Sequence, residues 1–415
     1  MKIIILTFLF SVSCWADGIC DLPTDVLQSL WPRVVNCATV PQGAQFKDVT
    51  IRIPNDESHP IQYLQSRFDL IAESKIKIKR FIVQFEDSSL SPDQPWVWPA
   101  LPKSTVAETL QIMSPSWNLL FSNGLVQEGL KLNQFNLTNV KVDHFSSVRE
   151  IPVESFNHFR FNLRRDSDGN SVIFNLSELE PFQNQIVDSL PEKLLITADV
   201  QARMSFPKIR RISQHQMIWQ GLMDETLFKV FPGLELFLPS SIHADQVARS
   251  WNFPVQKSIK ELNFSGLGIV AVNGLQNLQN LQYLNLSNNQ IEYLPSHVFS
   301  NLNVLDINLG KNPIAEVGDE VFQNSPMIQR IVLSDAKIKT WGRNDFHSNK
   351  NLKLVQLGVQ DGFRLRPDQF GSAQQSVLLM PVGRYRISQM TRKQLANRNI
   401  YVMSSSGQNL KDQIK

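Results

Sequence analysis

The sequence predicts an α/β solenoid, a stack of short coils that each add one strand to a parallel sheet and leave an irregular side opposite. Three observations carry this expectation. First, an apolar pattern recurs from Ile259 onward. Leu281, Leu284, Leu286, Asn289 and Ile291 align with Val304, Ile307, Leu309, Asn312 and Ile314, then with Ile328, Ile331, Leu333, Ala336 and Ile338. Leu352, Val355, Leu357 and Gln360 form a later copy, and Ile259, Leu262, Phe264, Leu267 and Ile269 an earlier one. The copies start 22 to 24 residues apart, a period that signals stacked supersecondary units. Second, Phe299, Phe322, Phe346 and Phe370 each lie eighteen places after the start of their copy, and Leu294, Val317, Trp341 and Leu365 thirteen places after. Third, the 415 residues are 42% hydrophobic and 19% charged, which excludes wholesale disorder and permits a large core. One coil cannot bury its apolar edge alone; stacking joins the edges into a continuous core.

In order along the chain, residues 1–16 read as a signal peptide. Lys2 gives a positive start, Ile3 to Val12 an apolar run, and Ala16 a small residue before cleavage. The run is shorter than the ~20 residues of a membrane span, and no later stretch is apolar for long enough, so no membrane span is expected. Once Cys14 is removed, Cys20 and Cys37 remain as an even pair. An oxidising compartment then predicts one disulfide, closing an N-terminal cap over residues 17–40; two free buried thiols are the alternative.

Over residues 41–258 the pattern is degenerate. Leu132, Phe135, Leu137, Val140 and Val142 keep the offsets, Phe156, Phe159 and Phe161 follow one period on, and Ala107, Leu110 and Ile112 precede, with Phe81 and Val83 marking another coil. Between Asp166 and Pro254, strands are expected at residues 194–200 and 234–238, without the Asn position. One solenoid with a worn N-terminal part is the first reading, and a separate α/β domain the alternative. Residues 259–375 form the clear array. Residues 376–415 form a basic cap or tail, with Arg384, Arg386, Arg392, Lys393, Arg398, Lys411 and Lys415 against Asp412 alone.

The pattern LxxLxLxxNxL, with Leu294-Pro295 and Phe299 behind it, resembles the leucine-rich repeat of extracellular proteins. Toll-type ectodomains, matrix leucine-rich proteins and secreted arthropod leucine-rich proteins carry such repeats. The resemblance implies a horseshoe with a concave parallel sheet. Asn289 and Asn312 can bond backbone where the chain leaves the strand, whereas Leu267 and Ala336 at the same position cannot, so irregular stacking is expected there. It also implies a function: relatives bind other macromolecules through the sheet, although fold alone does not name the ligand. The first reading is a secreted, extracellular binding protein for a protein ligand or receptor, in immune recognition or matrix adhesion. The second is a non-catalytic accessory subunit of a secreted enzyme, as similar arthropod proteins accompany a secreted luciferase.

Chemistry points the same way. A net charge of +3 is too small for a phosphate-tracking surface over the whole chain, which disfavours nucleic acid as partner. Gly266 to Ala271 imitates a dinucleotide fingerprint, but the repeat already explains Leu267 and Ile269. Asp166 to Asn170 imitates a calcium loop, but Ser171 and Ser177 stand where Gly and Glu belong. No catalytic residue, metal site or cofactor is expected. The tail's local charge suits an acidic polysaccharide, with a solvated cap as the alternative. Sequons at Asn136, Asn175, Asn263 and Asn285 are glycosylation candidates. On the strands, alternation turns Tyr283, Asp306, Asn308, Arg330 and Gln356 outward, and these are the expected binding residues.

Overall fold

A computed structural model of the chain describes residues 45–53, 60–73, 77–85, 96–101, 106–113, 119–120, 131–140, 153–343, 346–369, 377–382 and 385–402. The signal peptide, Cys20, Cys37, Phe370, Arg384, Lys411 and Lys415 lie outside the described residues. The chain forms two compact units, one of residues 1–174 with 178–192 and one of 175–177 with 193–415.

The first unit contains six parallel strands that neighbour one another in chain order: β1 (Gln45–Ile53), β2 (Lys77–Phe85), β3 (Val106–Met113), β4 (Leu132–Val140), β5 (Phe156–Leu163) and β6 (Ile186–Ser189). Register places Val49, Phe81, Leu110, Phe135 and Phe159 in one column and Ile51, Val83, Ile112, Leu137 and Phe161 in the next. Every one of these side chains is buried, as period-two alternation on half-buried strands requires. The coil through Val49 and Ile51 was not visible in the repeat, because more than thirty residues separate it from its neighbour. The insertion includes helix α1 (Pro60–Glu73), which opens with proline at a position that needs no amide donor. It buries Leu64 and Phe68, one turn apart, with the Phe68 ring 5.3 Å from Phe81 and 5.8 Å from Trp98. At the other end Phe159 stacks on Phe182 at 4.6 Å, and Phe135 and Phe156 complete the cluster. Aromatic rings fill this core where the clear array uses Leu and Ile.

The second unit is built on nine parallel strands, again in chain order: β7 (Arg211–Ser213), β8 (Leu236–Leu238), β9 (Glu261–Asn263), β10 (Tyr283–Asn285), β11 (Asp306–Asn308), β12 (Arg330–Ile338), β13 (Leu354–Val359), β14 (Val377–Val382) and β15 (Ile400–Val402). On the opposite side a short ladder joins Tyr293–Leu294, Glu316–Val317 and Thr340–Trp341. Leu262, Leu284, Ile307, Ile331, Val355 and Leu379 form a buried column under the sheet. Phe299, Phe322 and Phe346 stack behind them with centroids 5.6 and 6.1 Å apart, as their common offset predicts. This is a repeat solenoid with a parallel sheet on one side and irregular returns on the other.

Side-chain amides bind coil to coil. Asn289 is buried; its Oδ1 accepts from the amides of Leu267 (2.9 Å) and Ile269 (3.1 Å), and its Nδ2 donates to Phe264 O (2.8 Å) and Leu286 O (2.9 Å). Asn312 repeats the device on Ile291 N, Leu286 O and Leu309 O. A second buried polar series, which the repeat alignment did not reveal, sits where the return side turns back. Ser325 Oγ accepts from Leu302 N and donates to Phe299 O, and Asn349 Nδ2 donates to Phe322 O and Ser325 O. At Ala336 the amide is missing and β12 runs on for nine residues. Its register with β13 shifts between Leu333 and Ile338. The backbones come so close there that a Cβ on Gly358 would lie 2.3 Å from Ala336 O.

Between Asp166 and Pro254 the expected strand at 194–200 stops at Ile196. Thr197 Oγ1 then caps a helix over Ala198–Arg203, and that local bond overrides the strand propensity of the segment. Neighbouring strands here align 25 residues apart. Gln214 and Pro239 occupy the place that Leu286 holds in the clear copies. Gln214 adopts φ +64°, ends its strand after three residues, and lets a second parallel ladder begin over Lys193–Ile196, Gln216–Met223 and Ser241–Val247.

Candidate functional site

The exposed side of the nine-stranded sheet gathers the expected binding residues. In each short strand the central residue is buried, so its two neighbours face outward. In-register pairing sets Glu261, Tyr283, Asp306, Arg330 and Leu354 in one row, and Asn263, Asn285, Asn308, Val332 and Gln356 in a second. Rows of this kind step about 4.8 Å per strand. Tyr283, Asp306, Asn308, Arg330 and Gln356 therefore share one patch across four coils.

Within the patch, Tyr283 is 43% exposed. Beside it, Nε and Nη2 of Arg330 both lie 2.7 Å from Oδ2 of Asp306. At this exposure the pair adds only about 0–1 kcal/mol to stability, but it holds the guanidinium in place. The second row is braced differently. Oδ1 of Asn263, Asn285 and Asn308 accepts from the amides of Ser265, Ser287 and Gly310 at 3.1, 3.0 and 3.0 Å. With these oxygens engaged, the amide nitrogens are the groups left to donate outward.

One feature of this sheet had no place in the repeat alignment. Glu235 receives Arg210 at 2.7 Å and Lys260 at 2.8 Å, each residue preceding its strand by one position. The hydrogen bond from Lys260 pulls the Glu235 carboxyl below its ordinary value, burial opposes that, and Arg210 lowers it further. The alternation of Arg210, Glu235 and Lys260 at a spacing of 25 residues was the available signal.

The other sequence candidates fall elsewhere. Asn263 and Asn285 stand directly opposite each other on β9 and β10. Asn175 Oδ1 accepts from Ser177 N at 3.1 Å, and Asn136 lies on β4 with its Oδ1 buried and unpaired. Asp166 Oδ1 accepts from Asp168 N and Asn170 N, closing a polar turn. In the segment from Gly266 to Ala271, the Leu267 and Ile269 amides that would face a phosphate already donate to Asn289. Among the described residues, no three His, Cys, Asp or Glu side chains are grouped to hold a metal ion.

The BspA type leucine rich repeat region, as a family profile, matches residues 254–360 in six copies. Residues 254–360 therefore carry leucine-rich repeats. The chain is also similar to a solved leucine-rich repeat protein of Leptospira interrogans, at 16% identity over 73% of this chain and 92% of that one, with a TM-score of 0.37. No curated protein matches it. Leucine-rich repeats commonly mediate protein–protein interaction.

Proposed function

We propose that this leucine-rich repeat protein is secreted and binds an extracellular protein ligand or receptor through the exposed sheet face, in immune recognition or matrix adhesion. The observation that carries the reading is the registered patch: exposed Tyr283 beside the Asp306–Arg330 pair, flanked by Asn308 and Gln356. Tyrosine and arginine dominate interface hot spots, and an arginine already held by its neighbour loses less side-chain freedom on binding. The leader-like residues 1–16 support secretion. No helix among the described residues is long and apolar enough to cross a membrane. The repeat family favours binding over catalysis.

Affinity purification from the native secretion identifies the partner. Tyr283→Ala and Arg330→Ala should then each weaken binding by more than ~1 kcal/mol without moving the melting temperature. Wild-type affinity in both variants overturns the sheet-face reading. An enzyme recovered in stoichiometric amount would make the protein an accessory subunit instead of a ligand or receptor binder.

A further inference from the structure

The last coils carry a second charged surface, made of residues outside the nine-stranded sheet. Arg343 Nε and Arg366 Nε lie 3.9 and 3.7 Å from the two carboxylate oxygens of Asp368. Arg398 donates to the carbonyl of Pro367, the residue between Arg366 and Asp368. Arg364 precedes this turn by two residues, and register sets Arg386 opposite it on the adjoining strand. Asp368 therefore faces two guanidinium groups from successive returns of the chain, and Arg398 is bonded to the backbone of the same turn.

The side chains of Arg343, Arg366 and Asp368 are 72%, 58% and 50% exposed. At 3.7 to 3.9 Å their contacts are Coulombic and too long for hydrogen bonds. Both arginine forks thus remain open to an oxyanion that can meet them at closer range. A guanidinium presents two parallel donors, which suit the paired oxygens of a carboxylate or of a sulfate ester alike.

The apolar residues interleaved with these arginines, Trp341, Phe363 and Leu365, are all buried. A protein partner would find no apolar anchor among them, and a single nucleic-acid strand no aromatic platform. A hydrophilic polyanion needs neither. We infer that this surface binds an acidic polysaccharide, whose anionic groups replace Asp368 on the forks of Arg343 and Arg366. The inference is independent of the sheet-face reading and uses none of its residues.

Binding of the full-length protein to immobilised dextran sulfate, with neutral dextran as blank, tests it. The wild type should bind dextran sulfate, and raising salt from about 50 to about 300 mM should weaken the complex as screening shortens. Arg343→Ala/Arg366→Ala should weaken binding at least tenfold with an unchanged melting curve, because exposed ion pairs add little stability. Asp368→Asn should strengthen binding at least twofold by removing the competing carboxylate. Lys208→Ala/Lys257→Ala, which removes two exposed charges elsewhere in the unit, should bind as the wild type does. The inference is overturned if the arginine double variant binds normally, or if the lysine double variant loses as much. It also fails if a duplex DNA probe binds as tightly as dextran sulfate through the same two arginines, which would make the surface a general phosphate-backbone site.

Discussion

Replacing Asn312 with alanine removes a side chain that is 1% exposed and joins two coils. Four bonds disappear: Ile291 N to Oδ1 at 3.1 Å, Nδ2 to Leu286 O and Leu309 O, both at 2.9 Å, and a longer one from Nδ2 to Gly310 O at 3.4 Å, a carbonyl that keeps Asn288 N as its donor. They do not cost the same. Leu286 O keeps the Asn289 amide as a second partner at 2.9 Å, so the groups orphaned in the core are the Ile291 amide and the Leu309 carbonyl. At about 1–3 kcal/mol for each buried unsatisfied group, the loss is roughly 2–6 kcal/mol. Asn308→Ala is the matched control, because Asn308 is half-buried and braces only the Gly310 amide of its own coil, at 3.0 Å. Water can replace that bond, so about 0.5–1.5 kcal/mol is expected. Urea unfolding followed by circular dichroism gives the two stabilities, and native-state hydrogen exchange reads the Ile291 amide directly. Asn312→Ala should unfold at clearly lower urea than Asn308→Ala and release protection at Ile291. Equal midpoints, or an Ile291 amide as protected as in the wild type, would refute the assignment of Asn312 as a link between coils.

Leu286→Asp, at a fully buried position, should cost about 3–5 kcal/mol by leaving a charge without a partner in the core, whereas Asn285→Asp keeps an acceptor for Ser287 N and should be close to neutral; equal melting temperatures contradict the inward and outward assignment. Gly358→Ala should destabilise by about 1–3 kcal/mol through overpacking against Ala336 and Ser334, and a variant with wild-type stability would show that the two backbones can part freely. Glu235 titrates near 4.5 in the unfolded chain and lower in the folded one, so its stabilising contribution is complete above that value and is lost as pH falls through the folded pKa. Glu235→Gln should flatten the melting-temperature profile below about pH 4.5, and a profile with unchanged slope would sink the three-charge cluster as its cause.

The clear array was legible because its inward positions are filled by Leu, Ile and Val at nearly constant spacing, and the column through Leu284, Ile307, Ile331 and Val355 proved to be a register column of the sheet. Tyr283, Asp306 and Arg330 could be placed in one row from sequence, since alternation and register together fix which residue meets which. The bond between Asp306 and Arg330 could not, because a long exposed arginine chooses a rotamer that no repeat encodes. The irregularity expected at Ala336 is present as a register shift, and its complement, Gly358 pressed against it, lies one coil away where local reading does not look. Around Gln214 and Pro239 the spacing itself changed and the strand face was broken, so of the second ladder only the strand through Leu194 to Ile196 was legible. Ser325 and Asn349 were overlooked for a different reason: polar residues in a return segment normally signal solvent, yet here they close backbone bonds inside the core.

All four buried linkers reach the same way. Asn289, Asn312, Ser325 and Asn349 each bond backbone of the coil before their own, so the stack has a polarity like that of roof tiles, each fastening the one laid earlier. A break after coil n leaves open amides and carbonyls on the older side, while the younger side keeps only a loose side chain that water can satisfy. Disassembly of the array is therefore directional. A coil lost from the C-terminal end exposes unfastened backbone on the next, and fraying should progress from that end toward Ile259 more readily than the reverse.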